Sequence, residues 1–555
     1  MYKGGLNARG ILYQSTYRVM QRRVEVLGSQ MAVNAAMDRS SRKADKTAAS
    51  LDDAMLLSGF GKYNILHMLM SGVILMGMIM QSLALGYILP AAQCDLELTL
   101  QQRGWLSAIP FLAIILTSYF WGWLADTQGR RPVMLFSMLI SAILSAFASF
   151  APEVISFGIL IFFSAVFMSG SSAVVYTYLG EFNNLRHRDK MVAFGSSFVG
   201  IGTVILPCVS WLILPLEFAY PIPFLDIEYR PWRLLVVACA IPFALGTVLL
   251  MFAPESPKFL FATGLHEAAL DVVKKIYASN SKQPVESFPI KSLIVESQTT
   301  KSSNMRGAPA VWQSMKEQTI PLFQRPLLPW TALTCFVQFG IFATTNGFYV
   351  WFPSILNSLA NHDGGETRIC DVLDAGKNLE SNGTVICDDT IHTSTFERSI
   401  YIGLVFSSMY IIVGFLVDYV GKKPIIVVIL FVTGCCGIGA HLAYNQQLAV
   451  VLFAVFQMSG ACIGLMNAVA VELFPTKYRA MAICLSMMMG RVGSMVGSNL
   501  IGLFLDINCG AGFYLFGSII IMNSLFCLTL PKRNKISPER KVILESTQNE
   551  THEPV

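Results

Sequence analysis

The stretch GWLADTQGRRPVML, residues 122–135, places an acid, a glycine and two arginines between two long apolar runs. A stretch of the same kind returns at residues 414–427 as GFLVDYVGKKPIIV. Matching positions are 292 residues apart throughout (414 − 122 = 292), and they pair Gly122, Asp126, Gly129 and Arg130 with Gly414, Asp418, Gly421 and Lys422. The chain therefore carries the same charged hinge twice.

A second charged motif repeats at nearly the same distance. EFNNLRHR (181–188) and ELFPTKYR (472–479) each hold a glutamate and an arginine separated by six residues. The two glutamates lie 291 positions apart (472 − 181 = 291). Because two different motifs share one offset, the sequence predicts a duplicated unit rather than a chance match.

The composition is typical of a membrane protein. Of the 555 residues, 54% are hydrophobic and only 14% are charged, whereas a soluble domain carries about 25% charged residues. The mean hydropathy of +0.55 points the same way. The net charge of +5 is small for this length, so the lipid bilayer is the expected partner and nucleic acid is not.

Twelve apolar runs are long enough to cross a bilayer, which takes about 20 helical residues. Six are predicted at about 64–91, 104–124, 132–151, 154–179, 191–215 and 232–252. Six more follow at about 328–355, 399–417, 424–444, 448–471, 481–505 and 511–531. The prediction is an all-α membrane protein with two six-helix pseudo-repeats, divided as tail 1–60, bundle 61–252, linker 253–327, bundle 328–531 and tail 532–555.

The positions of the basic residues predict the orientation. Both hinges and the linker are basic, whereas the loop 356–398 on the opposite side is acidic. Because Lys and Arg are retained in cytosolic loops, both termini and the linker are expected in the cytosol. Residues 1–60 are polar, and we expect them to be largely disordered.

The loop 356–398 is therefore expected outside the cytosol and covalently modified. It holds the glycosylation sequence Asn382-Gly-Thr384, with Cys370 and Cys387 on either side. We expect a glycan on Asn382 and a Cys370–Cys387 disulfide, which an oxidising lumen would favour. Most other cysteines lie in apolar runs as small hydrophobes. No ligand spacing indicates a metal site, and no cofactor is expected.

The hinge pattern G-x-L-x-D-x-x-G-R-R resembles the signature loop of the major facilitator superfamily. PESPKFL (254–260) resembles the sugar and organic-ion branches of that superfamily, and LLSGFGKYNI (56–65) and KKIYASNSKQPVESFPIKSL (274–293) resemble the synaptic vesicle glycoprotein 2 group. The resemblance covers about residues 55–531. It implies two parallel six-helix repeats with a site between them near the membrane midplane.

The hinge charges are expected to gate the cytosolic side. Asp126 can sit at the N-terminus of a helix from the other half, where the helix dipole favours a carboxylate. Glu181 can pair with a hinge arginine and Glu472 with Lys422, and these contacts are expected to break when that side opens. The alternative is that the charges only fix topology. The predicted gate residues are Gly122, Asp126, Gly129, Arg130, Arg131, Glu181, Arg188, Gly414, Asp418, Gly421, Lys422, Glu472 and Arg479.

The membrane interior offers one clear charge, Arg491 in predicted helix 11. It should face the bundle, because a guanidinium in lipid costs at least ~2.5 kcal/mol and Arg keeps its proton. The interiors of helices 1, 4, 7 and 10 hold no acid, which makes an anionic solute a candidate partner. A structural arginine bonded to carbonyls near Gly490 and Gly493 is the alternative. Other candidate solute contacts are Gln81, Tyr178, Gln338, Asn346, Tyr349 and Asn467.

The leading prediction is a secondary transporter that moves a small organic solute by alternating access. A monomer is expected, in the plasma membrane or a vesicle membrane, although the sequence does not fix the oligomeric state. The alternative is a transporter-like vesicle protein that acts in binding or trafficking without transport. The chain has no G-x-x-x-x-G-K-[ST] loop for ATP and no Ser/His/acid or Cys/His set, so an enzyme is not expected.

Overall fold

The computed structural model describes residues 48–184, 186–294, 316–317, 319–360, 368–373 and 390–531. Within these ranges, twelve helices are long and apolar enough to cross a membrane. We call them spans 1 to 12 in chain order. They coincide with the twelve predicted runs to within a few residues, which confirms the all-α fold class.

The spans begin and end as follows. Spans 1 to 6 are Lys62–Leu83 continued by Leu85–Ala91, Leu100–Gln128, Arg130–Ala148, Val154–Glu181, Arg188–Ile213 and Pro231–Met251. Spans 7, 8 and 9 are Leu328–Ala360, Thr393–Val420 and Lys422–Leu442. Span 10 has three consecutive parts, the helix Gln446–Gln457, the 3-10 turn Met458–Ala461 and the helix Cys462–Leu473. Spans 11 and 12 are Thr476–Ile507 and Cys509–Cys527. The shorter elements are helices Leu51–Leu57, Pro257–Ala262 and His266–Ser281, 3-10 turns Val285–Ser287 and Ile320–Phe323, and strands Ala48–Ala49, Tyr220–Ile222, Ile227–Tyr229 and Ser292–Leu293.

Each half, spans 1 to 6 and spans 7 to 12, is packed around its own apolar core. The core of the second half centres on Phe348, whose ring lies 5.3–5.5 Å from the rings of Phe453, Phe456, Phe513 and Phe516. Edge-to-face aromatic packing of this kind adds to the area buried. The halves meet along two helix pairs, span 2 with span 11 and span 5 with span 8, and the end of span 1 packs on span 7.

The two hinges adopt the same backbone conformation. Gly129 has φ 104° and ψ 154°, and Gly421 has φ 88° and ψ 161°. Only glycine adopts this region without strain, and spans 3 and 9 each begin at the next residue. The duplication predicted from the 292-residue offset is therefore visible in the chain path.

A second compact unit combines residues from the predicted tail and the predicted linker, within 1–63 and 260–299. Strand Ala48–Ala49 pairs in parallel with Ser292–Leu293. The Asn280 side chain donates to the Ser58 carbonyl at 3.3 Å and accepts from the Tyr63 N–H at 3.0 Å. Residues 48–57 are therefore folded, whereas residues 1–47 lie outside the described residues, so the expectation of a largely disordered tail stays a prediction for them. The polar composition of residues 1–60 as a whole did not indicate that a short segment within them pairs with distant residues of the linker.

The disulfide at the predicted extracytosolic side differs from the expected one. Cys370 bonds to Cys509, the first residue of span 12, with a Cα–Cα distance of 5.5 Å. The Cys370–Cys387 pairing was favoured by closeness in sequence, whereas the fold brings the start of span 12 next to residue 370. Cys94 is also disulfide-bonded. Cys387 and Asn382 lie outside the described residues, and the glycan on Asn382 stays a prediction.

Replacing Cys509 by Ser is expected to lower the unfolding temperature of the purified protein by several degrees. The bond closes a loop of 139 residues, and removing a native disulfide typically costs about 2–5 kcal/mol. Thermal unfolding of Cys509→Ser and of a Cys435→Ser control, which alters a free thiol, measures the difference. Peptide mapping without reduction should recover Cys370 joined to Cys509, and a Cys370–Cys387 peptide would contradict the structure.

Candidate solute site and gates

Arg491 lies inside the bundle, between the two halves. Its Cζ atom is 6.0 Å from the centre of the Phe342 ring in span 7, and its charge interacts with Tyr176 in span 4 of the first half. Within the described part of the chain, the guanidinium makes no hydrogen bond or ion pair. A permanent cation therefore stands among aromatic rings without a protein counter-ion.

Two tyrosines from opposite halves lie within electrostatic range of each other. Tyr176 of span 4 interacts with the Arg491 charge, and Tyr410 of span 8 interacts electrostatically with Tyr176. The Tyr410 hydroxyl donates to the Gly460 carbonyl at 3.1 Å. The ring faces and the Tyr176 hydroxyl beside the cation are candidate contacts for a solute.

Span 10 is interrupted beside this site. The 3-10 turn Met458–Ala461 separates its two α-helical parts, whereas span 4, its counterpart in the first half, is one helix. A Cβ at Gly460 would lie 2.8 Å from the Thr345 side chain, so spans 7 and 10 touch here. Irregular backbone at membrane depth is tolerated where it is buried in protein or lines a cavity. The break thus turns the Gly460 carbonyl toward Tyr410.

The two glycines near Arg491 serve helix packing. A Cβ at Gly490 would lie 2.6 Å from the Phe342 ring, and one at Gly493 would collide with the Phe339 carbonyl. Span 11 runs unbroken from Thr476 to Ile507. No carbonyl accepts from the Arg491 guanidinium in the described part of the chain. The geometry therefore offers no support for a structural arginine at a glycine kink.

A polar cluster lies one turn from Arg491 on the same side of span 11. Gln338 of span 7 donates to Asn467 of span 10 at 2.9 Å, and the Asn467 amide contacts the Met487 sulfur at 3.3 Å. Met487 precedes Arg491 by four residues, which is about one helical turn. Two predicted solute contacts, Gln338 and Asn467, are thus near the cation and bonded to each other.

Two of the other four predicted contacts, Gln81 and Tyr178, are bonded within the first half. Gln81 accepts from Ser141 at 3.3 Å and lines a cavity of about 30 Å³ within the first half. Tyr178 is fully buried, and its hydroxyl donates to the Pro254 carbonyl at 2.6 Å. These two predictions are wrong for a site between the halves, because both side chains are bonded within the first half.

Asn346 and Tyr349 occupy span 7. Asn346 donates to Ser494 of span 11 at 2.9 Å, within the second half. Tyr349 donates across the halves to the Thr203 carbonyl at 3.4 Å. Tyr349 therefore belongs to the contact between spans 5 and 7, and Asn346 stays a candidate beside the central site.

In the first hinge, Arg130 is the centre of an ion-pair cluster. Its guanidinium lies 3.0 Å from Asp126 and 3.2 Å from Glu181, and its Cζ is 5.1 Å from the Phe259 ring centre. Arg131 donates to the Met251 carbonyl at 2.7 Å. All of these residues belong to the first half, so Asp126 does not cap a helix of the other half here.

The second hinge repeats the arrangement with fewer partners. Lys422 lies 2.6 Å from Glu472 and donates to the Ala468 carbonyl at 3.2 Å. The Asp418 side chain lies outside the part of the structure that is described. The Glu181 and the Glu472 pairs each lie inside one half, which does not support the expectation that opening between the halves breaks them. The two later arginines take different places: Arg188 packs on Gly180, and Arg479 has a buried Nε atom without a hydrogen-bond partner.

Glu255 is a hinge residue that the sequence analysis did not single out. Its carboxylate accepts from the backbone N–H groups of Arg130 (3.2 Å), Arg131 (3.2 Å) and Ser256 (2.7 Å). Burial raises the pKa of this carboxyl, while the three N–H donors lower it. The carboxylate covers unpaired donors at the start of span 3. Its position in PESPKFL was the available sequence signal.

The two ends of the bundle differ in how closely glycines of one half approach the other half. We call the end with Gly129 and Gly421 the hinge end, and the opposite end, with Cys370 and Cys509, the loop end. Toward the loop end, a Cβ at Gly86 would lie 2.9 Å from the Val350 carbonyl of the other half. Toward the hinge end, nothing among the described residues lies within 4 Å of a Cβ at Gly122 or at Gly414. The close glycine contacts between the halves therefore lie toward the loop end.

Comparison with known proteins agrees with this architecture. The chain is 24% identical over 391 residues to synaptic vesicle glycoprotein 2C from Mus musculus, covering 67% of this chain and 53% of the relative. It is 26% identical over 345 residues to synaptic vesicle glycoprotein 2A from Bos taurus, covering 57% and 45%. The chain thus spans about half the length of the curated relatives it matches.

Membrane transporters are among the solved structures that this chain resembles. An inward open conformation of the xylose transporter XylE from E. coli matches with a TM-score of 0.60 and 17% identity, over 86% of this chain and 98% of that one. At this identity the likeness shows the fold alone. The family model described as Major Facilitator Superfamily matches residues 68–372 and 399–548, which is more than half of the chain. The chain therefore belongs to the Major Facilitator Superfamily and is a multi-pass membrane protein.

Proposed function

We propose that the protein is a secondary transporter that moves a small organic anion by alternating access. One observation carries the proposal. Arg491, a half-buried cation with no counter-ion among the described residues, stands between two halves whose close glycine contacts lie toward the loop end. A charge that is partly withdrawn from water gains from a paired ion, and an anion that enters from the hinge end would supply this partner.

The surrounding residues indicate the class of anion. A guanidinium presents a planar fork that matches a carboxylate, and among the described residues Arg491 is the one such cation at the central site. The rings of Phe342, Tyr176 and Tyr410 offer apolar faces and hydroxyl groups for the remaining part of the solute. Gln338 and Asn467 add amide groups one turn away. We therefore propose a monocarboxylate with a compact, partly apolar body.

The hinge end is taken as cytosolic, because the basic hinges belong on that side of a membrane. In this orientation both termini are cytosolic and the structure is the inward-facing state of the cycle. Reorientation would close the hinge end and open the loop end, with each half moving as a unit. The hinge ion pairs of Arg130 and Lys422 stiffen their own halves during this movement.

A second function stays open because of the relatives. Synaptic vesicle glycoproteins 2A and 2C are among the relatives that this chain resembles. A vesicle protein can bind a ligand or a partner without moving a solute. Such a protein would hold the anion at Arg491 but would not carry it across the membrane. Binding without uptake is therefore the signature of this alternative.

Uptake by purified protein in sealed liposomes tests the proposal. The panel consists of radiolabelled monocarboxylates, neutral sugars and organic cations of similar size, with protein-free liposomes as the blank. We expect time-dependent accumulation of at least one monocarboxylate. Thermal stabilisation by an anion without any uptake would favour the binding protein, and uptake confined to cations would contradict the role of Arg491.

A further inference from the structure

A second buried arginine joins the two halves at the loop end. Arg103 lies in the first turn of span 2 and is 7% exposed. One arm of its guanidinium donates to Gln93 of its own half at 3.0 Å, and another donates to Ser354 of span 7 in the other half. Its Cζ atom lies 5.2 Å from the ring centre of Trp351. Arg103 therefore bridges the halves through a hydrogen bond and a ring contact.

The second half is shaped to receive this side chain. Trp351 is 3% exposed, and its indole N–H donates to the Ser498 carbonyl at 2.8 Å. A Cβ at Gly502 would lie 2.6 Å from the indole, so this glycine makes room for the ring. A Cβ at Gly104 would lie 3.5 Å from Asn499 Oδ1. The Trp351 face is thus held in place by span 11 before Arg103 meets it.

Separation of the halves at this end would remove both contacts at once. Arg103 would exchange Ser354 and the Trp351 face for water, and it would keep Gln93. Hydrogen bonds from a charged donor and desolvated cation–ring contacts are stronger than their neutral equivalents. The described contacts that Arg103 makes across the halves, with Ser354 and Trp351, therefore require the halves to be packed together at the loop end.

We propose that Arg103, seated on Trp351 and Ser354, is the latch that holds the loop end closed. This inference rests on the proposed alternating access, because a latch has a role only if the loop end opens. In this proposal, one arginine at the start of span 2 keeps the loop end closed. The hinge-end clusters of Arg130 and Lys422 differ from it, since each lies within a single half.

The test measures opening of the loop end without any solute. Val350 is 4% exposed beneath the latch, and the thiol introduced by Val350→Cys should react slowly with a bulky, charged maleimide in nanodiscs. Mass spectrometry of the peptide that contains position 350 gives the rate while the native cysteines are left in place. Adding Arg103→Gln is expected to raise this rate about tenfold, as loss of a charge-assisted contact across the halves would.

Two further variants make the test specific. Ser354→Ala removes the acceptor alone and is expected to raise the rate about threefold, with no further gain when combined with Arg103→Gln. Glu228→Gln is the control, because Glu228 lies at the same end and its described ion pair, with Arg230, is inside the first half. Its rate should stay within about twofold of the parent.

Each outcome bears on one idea. A rate within twofold of the parent for both Arg103→Gln and Ser354→Ala, or an equal rise for Glu228→Gln, overturns the latch. If Arg103→Gln does not fold, Ser354→Ala and Arg103→Lys decide by the same criterion. A position 350 that never reacts in any variant, under any condition, would contradict alternating access itself and not merely the latch.

Discussion

Gly122→Trp is expected to abolish solute uptake while expression and folding stay normal. Gly104 touches the second half at the loop end, and Gly122 lies 18 residues later (122 − 104 = 18), which is about five turns along the same face of span 2. In this structure nothing lies within 4 Å of a Cβ at Gly122. Closure of the hinge end would bring the second half against this position, and an indole would prevent it.

The repeat offers a second variant and the membrane face offers a control. Gly403 meets the Thr203 carbonyl of the first half, and Gly414 lies 11 residues later (414 − 403 = 11) on nearly the same face of span 8. Gly414→Trp should therefore also block uptake. Val428→Trp adds a ring at a position of span 9 that is 59% exposed and should transport normally. Full uptake by Gly122→Trp would show that the hinge end does not close on this face.

Arg491→Gln is expected to lower carboxylate uptake by about 100-fold. Removing one member of a desolvated charge pair typically costs 2–5 kcal/mol, and each ~1.4 kcal/mol is a factor of ten. Arg491→Lys keeps the charge but lacks the planar fork, so we expect an intermediate loss of about tenfold. The measurements are initial uptake rates and binding constants for the same monocarboxylate.

Protein yield and unfolding temperature separate binding from structure in this pair of variants. The guanidinium has no protein hydrogen bond among the described residues, so neither substitution should destabilise the fold. Equal losses of yield and uptake in Arg491→Gln and Arg491→Lys would indicate a structural arginine. Unchanged carboxylate uptake in both variants would remove Arg491 from the site.

The features that the sequence predicted correctly depend on hydrophobic periodicity and on the placement of charges. The twelve spans follow from runs of apolar residues, and the Arg130–Glu181 and Lys422–Glu472 pairs follow from motifs that repeat at a constant offset. The inward direction of Arg491 follows from the cost of exposing a guanidinium to lipid. These predictions needed no knowledge of how distant residues meet.

The predictions that failed depend on distant contacts or on helix faces. Cys370 pairs with Cys509 because of chain topology, which closeness in sequence does not reveal. Gln81 and Tyr178 are polar residues in membrane helices, and only packing decides that both face the interior of the first half. The sequence analysis did not single out Arg103 because the predicted span 2 began at residue 104. Arg103 was therefore assigned to the preceding loop, whereas the helix begins at Leu100.

The most direct test of alternating access is a distance between the halves at the hinge end. Phe120 on span 2 and Phe415 on span 8 are both exposed there, and spin labels carried by noncanonical amino acids at these positions leave all cysteines intact. Pulsed electron resonance on the protein in lipid vesicles should show two distances, a longer one that matches this structure and a shorter one for the closed hinge end. Arg103→Gln should increase the share of the shorter distance, and Gly122→Trp should remove it. A single distance that no variant and no monocarboxylate changes would contradict alternating access.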